Sequence, residues 1–113
     1  MIVDDNSKVR GLIRLALDTR YVTIIECVDG VDALKAYAMH HPDLVLMDVY
    51  MPRLDGLAAT KALKAKYPNA RVHLLSDYEE DEIRYAAAAA GACGYTSKAH
   101  LDCLESIIRQ YSD

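Results

Sequence analysis

Short apolar runs alternate with longer stretches of helical rhythm along this whole chain, and that alternation leaves few folds open. The runs are Met1-Ile2-Val3, Tyr21 to Cys27, Leu44 to Met47, Val72 to Leu75 and Tyr95-Thr96. Strands that alternate with helices build a parallel sheet with both faces covered. The expected fold is therefore α/β, a doubly wound parallel sheet of five strands with five helices. All 113 residues are used, so one domain over 1–113 is expected, with no linker or repeat left over. Met1-Ile2-Val3 is short for a first strand, so trimming of the N-terminus is expected.

The helical stretches carry apolar stripes. Val9, Leu12, Ile13, Ala16 and Leu17 mark the first, with Asn6 or Ser7 as its cap. Val31, Leu34 and Ala38 mark the second, which follows Asp29-Gly30 and stops before Pro42. Ala59, Ala62 and Leu63 mark the third, stopped by Pro68 and Asn69. Ile83, Ala86, Ala87 and Ala90 mark the fourth, ended by Gly91, and Leu101, Leu104, Ile108 and Tyr111 mark the fifth.

Composition removes several classes. The net charge of -4 offers no basic footprint, so direct nucleic-acid binding is not expected. No apolar run approaches membrane-span length, and the N-terminus lacks the layout of a secretory signal. Cys27, Cys93 and Cys103 are odd in number and lack CxxC spacing, which argues against a disulfide framework or a zinc site. They read as reduced, mostly packed thiols of a cytoplasmic protein. His73 is an odd polar choice inside a strand.

In doubly wound sheets the loops past the strand C-termini form the ligand site, and right-handed crossovers bring those ends to one edge. Asp4 and Asp5, Asp48, Ser76 and Lys98 fall just past the ends of strands one, three, four and five. Acids and a lysine meeting there suit a divalent metal and a phosphoryl group. Mg²⁺ takes hard oxygen ligands, and Asp4, Asp5 and Asp48 offer them. Without a metal their repulsion would raise at least one pKa. Asp48 would act as nucleophile and form an acyl phosphate. Lys98 suits a phosphoryl oxygen, and Ser76 offers a small hydroxyl.

Each piece has a plainer reading. An Asp pair after a strand is often a helix cap with a neighbour, and a lone Asp there is commonly a turn residue. Lys98 reads equally as a solvated lysine and Ser76 as the cap of helix four. The run Glu79-Glu80-Asp81-Glu82 is explained by the positive end of helix four. Convergence of four loops on one edge favours the functional reading.

Three segments carry a resemblance: Ile2-Val3-Asp4-Asp5, Leu46-Met47-Asp48-Val49-Tyr50-Met51-Pro52-Arg53-Leu54-Asp55-Gly56, and Gly91-Ala92-Cys93-Gly94-Tyr95-Thr96-Ser97-Lys98. Asp29-Gly30-Val31-Asp32-Ala33-Leu34 adds a fourth. Together they resemble the receiver (CheY-like) domain of two-component response regulators. The style of 91–95, with Ala99 in place of Pro, is most similar to receivers that precede a LuxR-type helix-turn-helix output domain.

The resemblance implies strand order 2-1-3-4-5 and a phosphorelay switch rather than a classical enzyme. It implies Asp48 as phosphoacceptor, Asp4 and Asp5 as the acidic pair around Mg²⁺, and the Tyr50 backbone carbonyl as a further ligand. Ser76 becomes the hydroxyl switch, Tyr95 the aromatic rotamer switch and Lys98 the phosphoryl partner. Implied partners are a sensor histidine kinase or phosphotransfer protein, then an output domain, a protein partner or a second copy of the chain. The implied output is transcription regulation through the face of helix four, strand five and helix five. Asp77 departs from the pattern, since the family usually has a small residue beside Ser76.

The alternative is a degenerate receiver, a binding module that works without phosphorylation. Asp5, Asp48 and Lys98 argue against it, and Asp77 mildly for it. A phosphatase with an aspartate nucleophile would need DxDx[TV] after strand one, which Asp4-Asp5-Asn6 does not match. A flavodoxin-like carrier would need a phosphate cradle where this chain is acidic.

Overall fold

Val45–Asp48 forms the middle strand of the sheet (β3) and is buried along its whole length. The computed structural model describes residues 1–17, 23–78 and 80–111. Around β3 stand β1 (Ile2–Val3), β2 (Glu26–Cys27), β4 (Val72–Ser76) and β5 (Gly94–Ser97). All pairings are parallel, and the order is β2-β1-β3-β4-β5. This is the order that the resemblance implies, a flavodoxin-like arrangement.

The helices are α1 (Ser7–Ala16), α2 (Gly30–His40), α3 (Gly56–Lys66), α4 (Asp81–Ala90) and α5 (Leu104–Gln110). A 3₁₀ segment over Lys98–Cys103 leads into α5. Successive strand residues point to opposite faces, so the sheet has two cores. Val45, Met47, Val72 and Leu74 pack with Tyr37 of α2, Leu63 of α3 and Ala87 of α4. Ile2, Leu46 and Leu75 pack with Ile13 of α1 and with Leu104 and Ile107 of α5.

The local signals act as expected at several ends. Asn6 caps α1 through Oδ1, Asp29 caps α2, and Asp55 caps α3. Gly91 ends α4 with φ 95°, a left-handed turn that suits glycine. Ser76 is not the cap of α4, because its hydroxyl accepts the Tyr78 amide at 3.2 Å.

Some expected inner positions face out. Leu12 is 55% exposed, since it lies about 100° round the helix from the buried Ile13. Ala38 and Ala62 are exposed, while Ala33, Tyr37 and Thr60 are buried in their place. Thr60 tolerates burial because its hydroxyl donates to the Gly56 carbonyl at 2.7 Å. The fifth stripe splits, with Leu101 in the 3₁₀ segment and Ile107 buried where no stripe residue was expected.

Among the described residues the expected strand Tyr21 to Cys27 is a strand over Glu26–Cys27, which pairs with the two residues of β1, and the Ile25 carbonyl accepts the Ile2 amide at 2.8 Å. Tyr21 and Val22 lie outside the described residues. Cys27 is buried as expected, but Cys93 and Cys103 are exposed. His73 is buried without strain on its polarity. Its Nδ1 lies 3.0 Å from the Tyr111 hydroxyl and its Nε2 2.7 Å from Thr96 Oγ1. Among the described residues no helix is long and apolar enough to cross a membrane.

Candidate phosphoryl and metal site

Strand register builds the site. Val3 pairs with Met47, so Asp4 emerges beside Asp48. Ser76 pairs with Ser97, so Lys98 emerges one residue beyond them. Asp48 itself closes β3, only 5% exposed. A Cβ on Gly56 would run into the Asp48 carbonyl, so the chain turns tightly back from 49 to 56. The Gly56 amide closes that turn on the Val49 carbonyl at 2.8 Å.

Asp4 is buried, and its Oδ1 accepts the Asn6 amide at 2.9 Å. Its Oδ2 is buried and meets no donor in hydrogen-bond geometry, although Lys98 Nζ forms an ion pair with it at 2.8 Å. Lys98 Nζ also lies 3.2 Å from Asp48 Oδ1. Asp5 is exposed. Carboxylate oxygens of Asp4, Asp5 and Asp48 lie within 4.8 Å of one another.

Charge is concentrated there. Burial, then the charge of Asp4, pushes the Asp48 carboxyl up from 3.8 to about 6, against the pull of Lys98 and of the Tyr50 amide. Burial alone would drag the Lys98 ammonium down, but its ion pair with Asp4 and the charge of Asp48 outweigh that and raise it. The donor set is all hard oxygen, one buried oxygen lacks a hydrogen-bond donor, and the charge of Asp4 pushes the Asp48 carboxyl up. These features fit a small divalent cation.

The site opens into a concavity of about 640 Å³ whose walls include Asp5, Tyr50, Asp77, Tyr78 and Glu80. A larger one, about 930 Å³, lies at the opposite end of the strands beside Met1 and Leu44, away from the carboxylates. Asp4, Asp5, Asp48, Tyr50 and Lys98 are thus brought together. Ser76 is buried close by but does not line the concavity. Tyr95 is set back too, its hydroxyl donating to the Tyr78 carbonyl and its ring under the Arg84 guanidinium at 5.4 Å.

Tyr78 and Glu80 were missed by sequence reasoning. Tyr78 packs edge-on against Tyr50, ring centroids 6.0 Å apart, and both rings are half exposed above the carboxylates. The only available signal was their place shortly after Ser76, in the loop that leaves β4.

A family profile described as the response regulator receiver domain matches residues 1–109. The chain belongs to the response regulator receiver family. This receiver domain is 35% identical over 98 residues to the chemotaxis protein CheY of Halobacterium salinarum, covering 87% of this chain and 82% of that protein. It is 38% identical over 113 residues to the response regulator GacA of Pseudomonas aeruginosa, covering 97% of this chain but 53% of that protein. The receiver therefore spans about half of this longer relative.

Among solved structures it resembles a LuxR-family response regulator from Aurantimonas, with TM-score 0.85, 29% identity, and coverage of 97% and 84% of the two chains. The receiver domain of the putative response regulator NarL from Mycobacterium tuberculosis is similar, with TM-score 0.85, 28% identity and coverage of 97% and 92%. The likeness to receivers of LuxR-family regulators agrees with the expectation from the sequence.

Proposed function

We propose that this receiver accepts one phosphoryl group on Asp48 in a Mg²⁺-dependent reaction and responds by shifting the face of α4, β5 and α5. The observation that carries the reading is the buried Asp48 carboxylate at a strand end, within ion-pair reach of Lys98 and flanked by Asp4 and Asp5. One oxygen of Asp48 attacks phosphorus, and the donor's bond to phosphorus breaks with its electron pair leaving on the donor. Asp4, Asp5, Asp48 and the Tyr50 carbonyl would hold Mg²⁺, which when bound neutralises the crowded carboxylates and the phosphoryl oxygens.

The chain's own residues do the rest. Lys98 turns its ammonium from the carboxylates to a phosphoryl oxygen. Ser76 gives up the Tyr78 amide and donates its hydroxyl to the phosphoryl group. Tyr95 gives up the Tyr78 carbonyl and turns inward. The two tyrosine rings at 50 and 78 narrow the path by which water reaches the acyl phosphate.

The donor is a sensor histidine kinase or phosphotransfer protein of the cytoplasm. The output is a helix-turn-helix domain, another protein or a second copy of this chain, and the pathway is transcription regulation. Support for that output comes from GacA, twice as long as the matched region, and from the LuxR-family likeness.

Labelling with acetyl phosphate tests the reading. Intact mass should show a single phosphoryl adduct that needs Mg²⁺ and is lost in Asp48→Asn. An unlabelled wild-type protein would leave a phosphorylation-independent binding module. Undiminished labelling of Asp48→Asn would move the acceptor elsewhere.

A further inference from the structure

The loop of residues 49–55 is tied to the start of α2 by contacts that the proposed chemistry does not use. Arg53 has φ 65°, a left-handed backbone that side chains rarely adopt. Its Nε lies 2.5 Å from Asp29 Oδ2, and its Nη2 lies 3.3 Å from Asp32 Oδ1. Asp29 is 4% exposed, and its Oδ1 caps α2 by accepting the Asp32 amide at 2.9 Å. Next to this pair, the Gly30 amide donates to the Leu54 carbonyl at 3.1 Å. A Cβ at residue 30 would stand 2.5 Å from that same carbonyl oxygen, so the loop and α2 touch backbone to backbone.

Stability alone does not account for this arrangement. The Arg53 end of the pair is 55% exposed against 5% for Asp29, so solvent screens the pair from one side and damps what it adds to global stability. The left-handed backbone costs free energy that a glycine at 53 would not incur. Backbone conformations of this kind persist where surroundings over-determine them, and they cluster beside functional sites. This loop carries Tyr50, whose amide favours the ionised Asp48 carboxylate and whose ring walls the concavity. The Arg53 bond also holds the Asp29 carboxyl below its usual range, so the pair is charged throughout the physiological pH window.

We infer that Arg53, gripping Asp29 and Asp32, is a positioning residue that sets the shape of the loop presenting Tyr50 to the metal and phosphoryl site. The inference rests on the reading of that site proposed above. It makes the N-terminus of α2, two strands away from Asp48 in the sheet order, part of the site's support.

Three variants test it in the full chain: Arg53→Gly, Arg53→Lys and Asp29→Asn. Glycine accepts the left-handed backbone, and asparagine keeps the helix cap, so both should fold. Mg²⁺ affinity is read by calorimetric titration, loop order by amide hydrogen exchange over 49–54, and global stability by melting in chelator. Arg53→Gly and Asp29→Asn should weaken Mg²⁺ about tenfold, the usual scale for groups that orient metal ligands. Loop exchange should rise in step, the metal-free melting temperature should change too little to account for the lost affinity, and Arg53→Lys should recover part of that affinity. Wild-type affinity in both Arg53→Gly and Asp29→Asn overturns the inference alone. Weaker binding that only tracks a lowered melting temperature also overturns it, since the clamp would then be structural. A wild-type protein that binds no Mg²⁺ overturns the reading of the site and the inference with it.

Discussion

Lys98 Nζ stands 2.8 Å from Asp4 Oδ2, a shorter approach than the 3.2 Å it makes to Asp48 Oδ1. The cation proposed to meet the phosphoryl group therefore rests first on the acid proposed to meet the metal. A dication arriving at Asp4 has to compete with that ammonium. Lys98→Met should tighten Mg²⁺ binding by roughly three- to tenfold, the scale of a charge–charge repulsion of about 1 kcal/mol in partly wet surroundings. It should also slow labelling by acetyl phosphate. Calorimetric titration reads the first effect, and weaker binding in Lys98→Met would show that Lys98 arranges the acids instead of competing for them.

Asp48 sets a pH dependence of stability. Its folded pKa, about 6, lies above its ordinary 3.8, so the folded protein holds that proton more tightly than the unfolded chain does. The resulting stability is complete below about pH 4 and is lost as pH rises through about 6. Above that, the metal-free protein carries an ionised Asp48 at a cost of about 1–3 kcal/mol. Asp48→Asn should raise the melting temperature in chelator by about 5 °C at pH 7.5. The gain should vanish near pH 4 and shrink when Mg²⁺ is added. A gain independent of pH would mean that packing, not charge, separates the two proteins.

The two N-terminal acids should separate by assay. Asp5 is exposed, while Asp4 is buried and paired with Lys98. Asp5→Asn should weaken Mg²⁺ about tenfold and leave the metal-free melting temperature unchanged. Asp4→Asn should lower both, costing about 1–3 kcal/mol of stability through the lost ion pair. The family resemblance ranks Asp5 above Asp4 as a metal ligand, and unchanged affinity in Asp5→Asn with none left in Asp4→Asn would reverse that order.

Asp77 adds a carboxylate to the wall of the same concavity and is exposed. It should repel an anionic phosphodonor, with salt damping the effect. Asp77→Ala should label about two- to fivefold faster at low ionic strength, with the difference fading at high salt. Equal rates at low salt would place the side chain out of the donor's path.

Phosphorylation should be felt beyond the loops. A phosphoryl mimic with Mg²⁺ should move NMR signals of Ser76, Tyr95 and α4, because Tyr78 joins the two through its amide and its carbonyl. Full inversion of a two-state equilibrium needs about 5.5 kcal/mol of differential binding, so a partial shift is expected. Changes confined to the loops touching the mimic would leave a phosphorylatable site without a switch.

The sequence alone determined the element order, the parallel sheet, and the edge at which Asp4, Asp5, Asp48 and Lys98 gather. Those features are written locally, in short apolar runs, in 3.6-residue patterns and in caps such as Asn6 and Gly91. Tertiary structure decided the rest, because it depends on side-chain directions and loop paths between residues far apart in the chain. It turned Leu12 and Ala62 outward and buried Thr60. It bonded Ser76 to the Tyr78 amide, when its place at the strand end alone allowed a free hydroxyl. It joined Tyr50 to Tyr78 and Arg53 to Asp29, pairs separated by enough chain that no spacing rule connects them. Lys98 was legible as a cation near the acids, but its closer contact with Asp4 follows from the β1–β3–β4–β5 register, which only the folded sheet establishes.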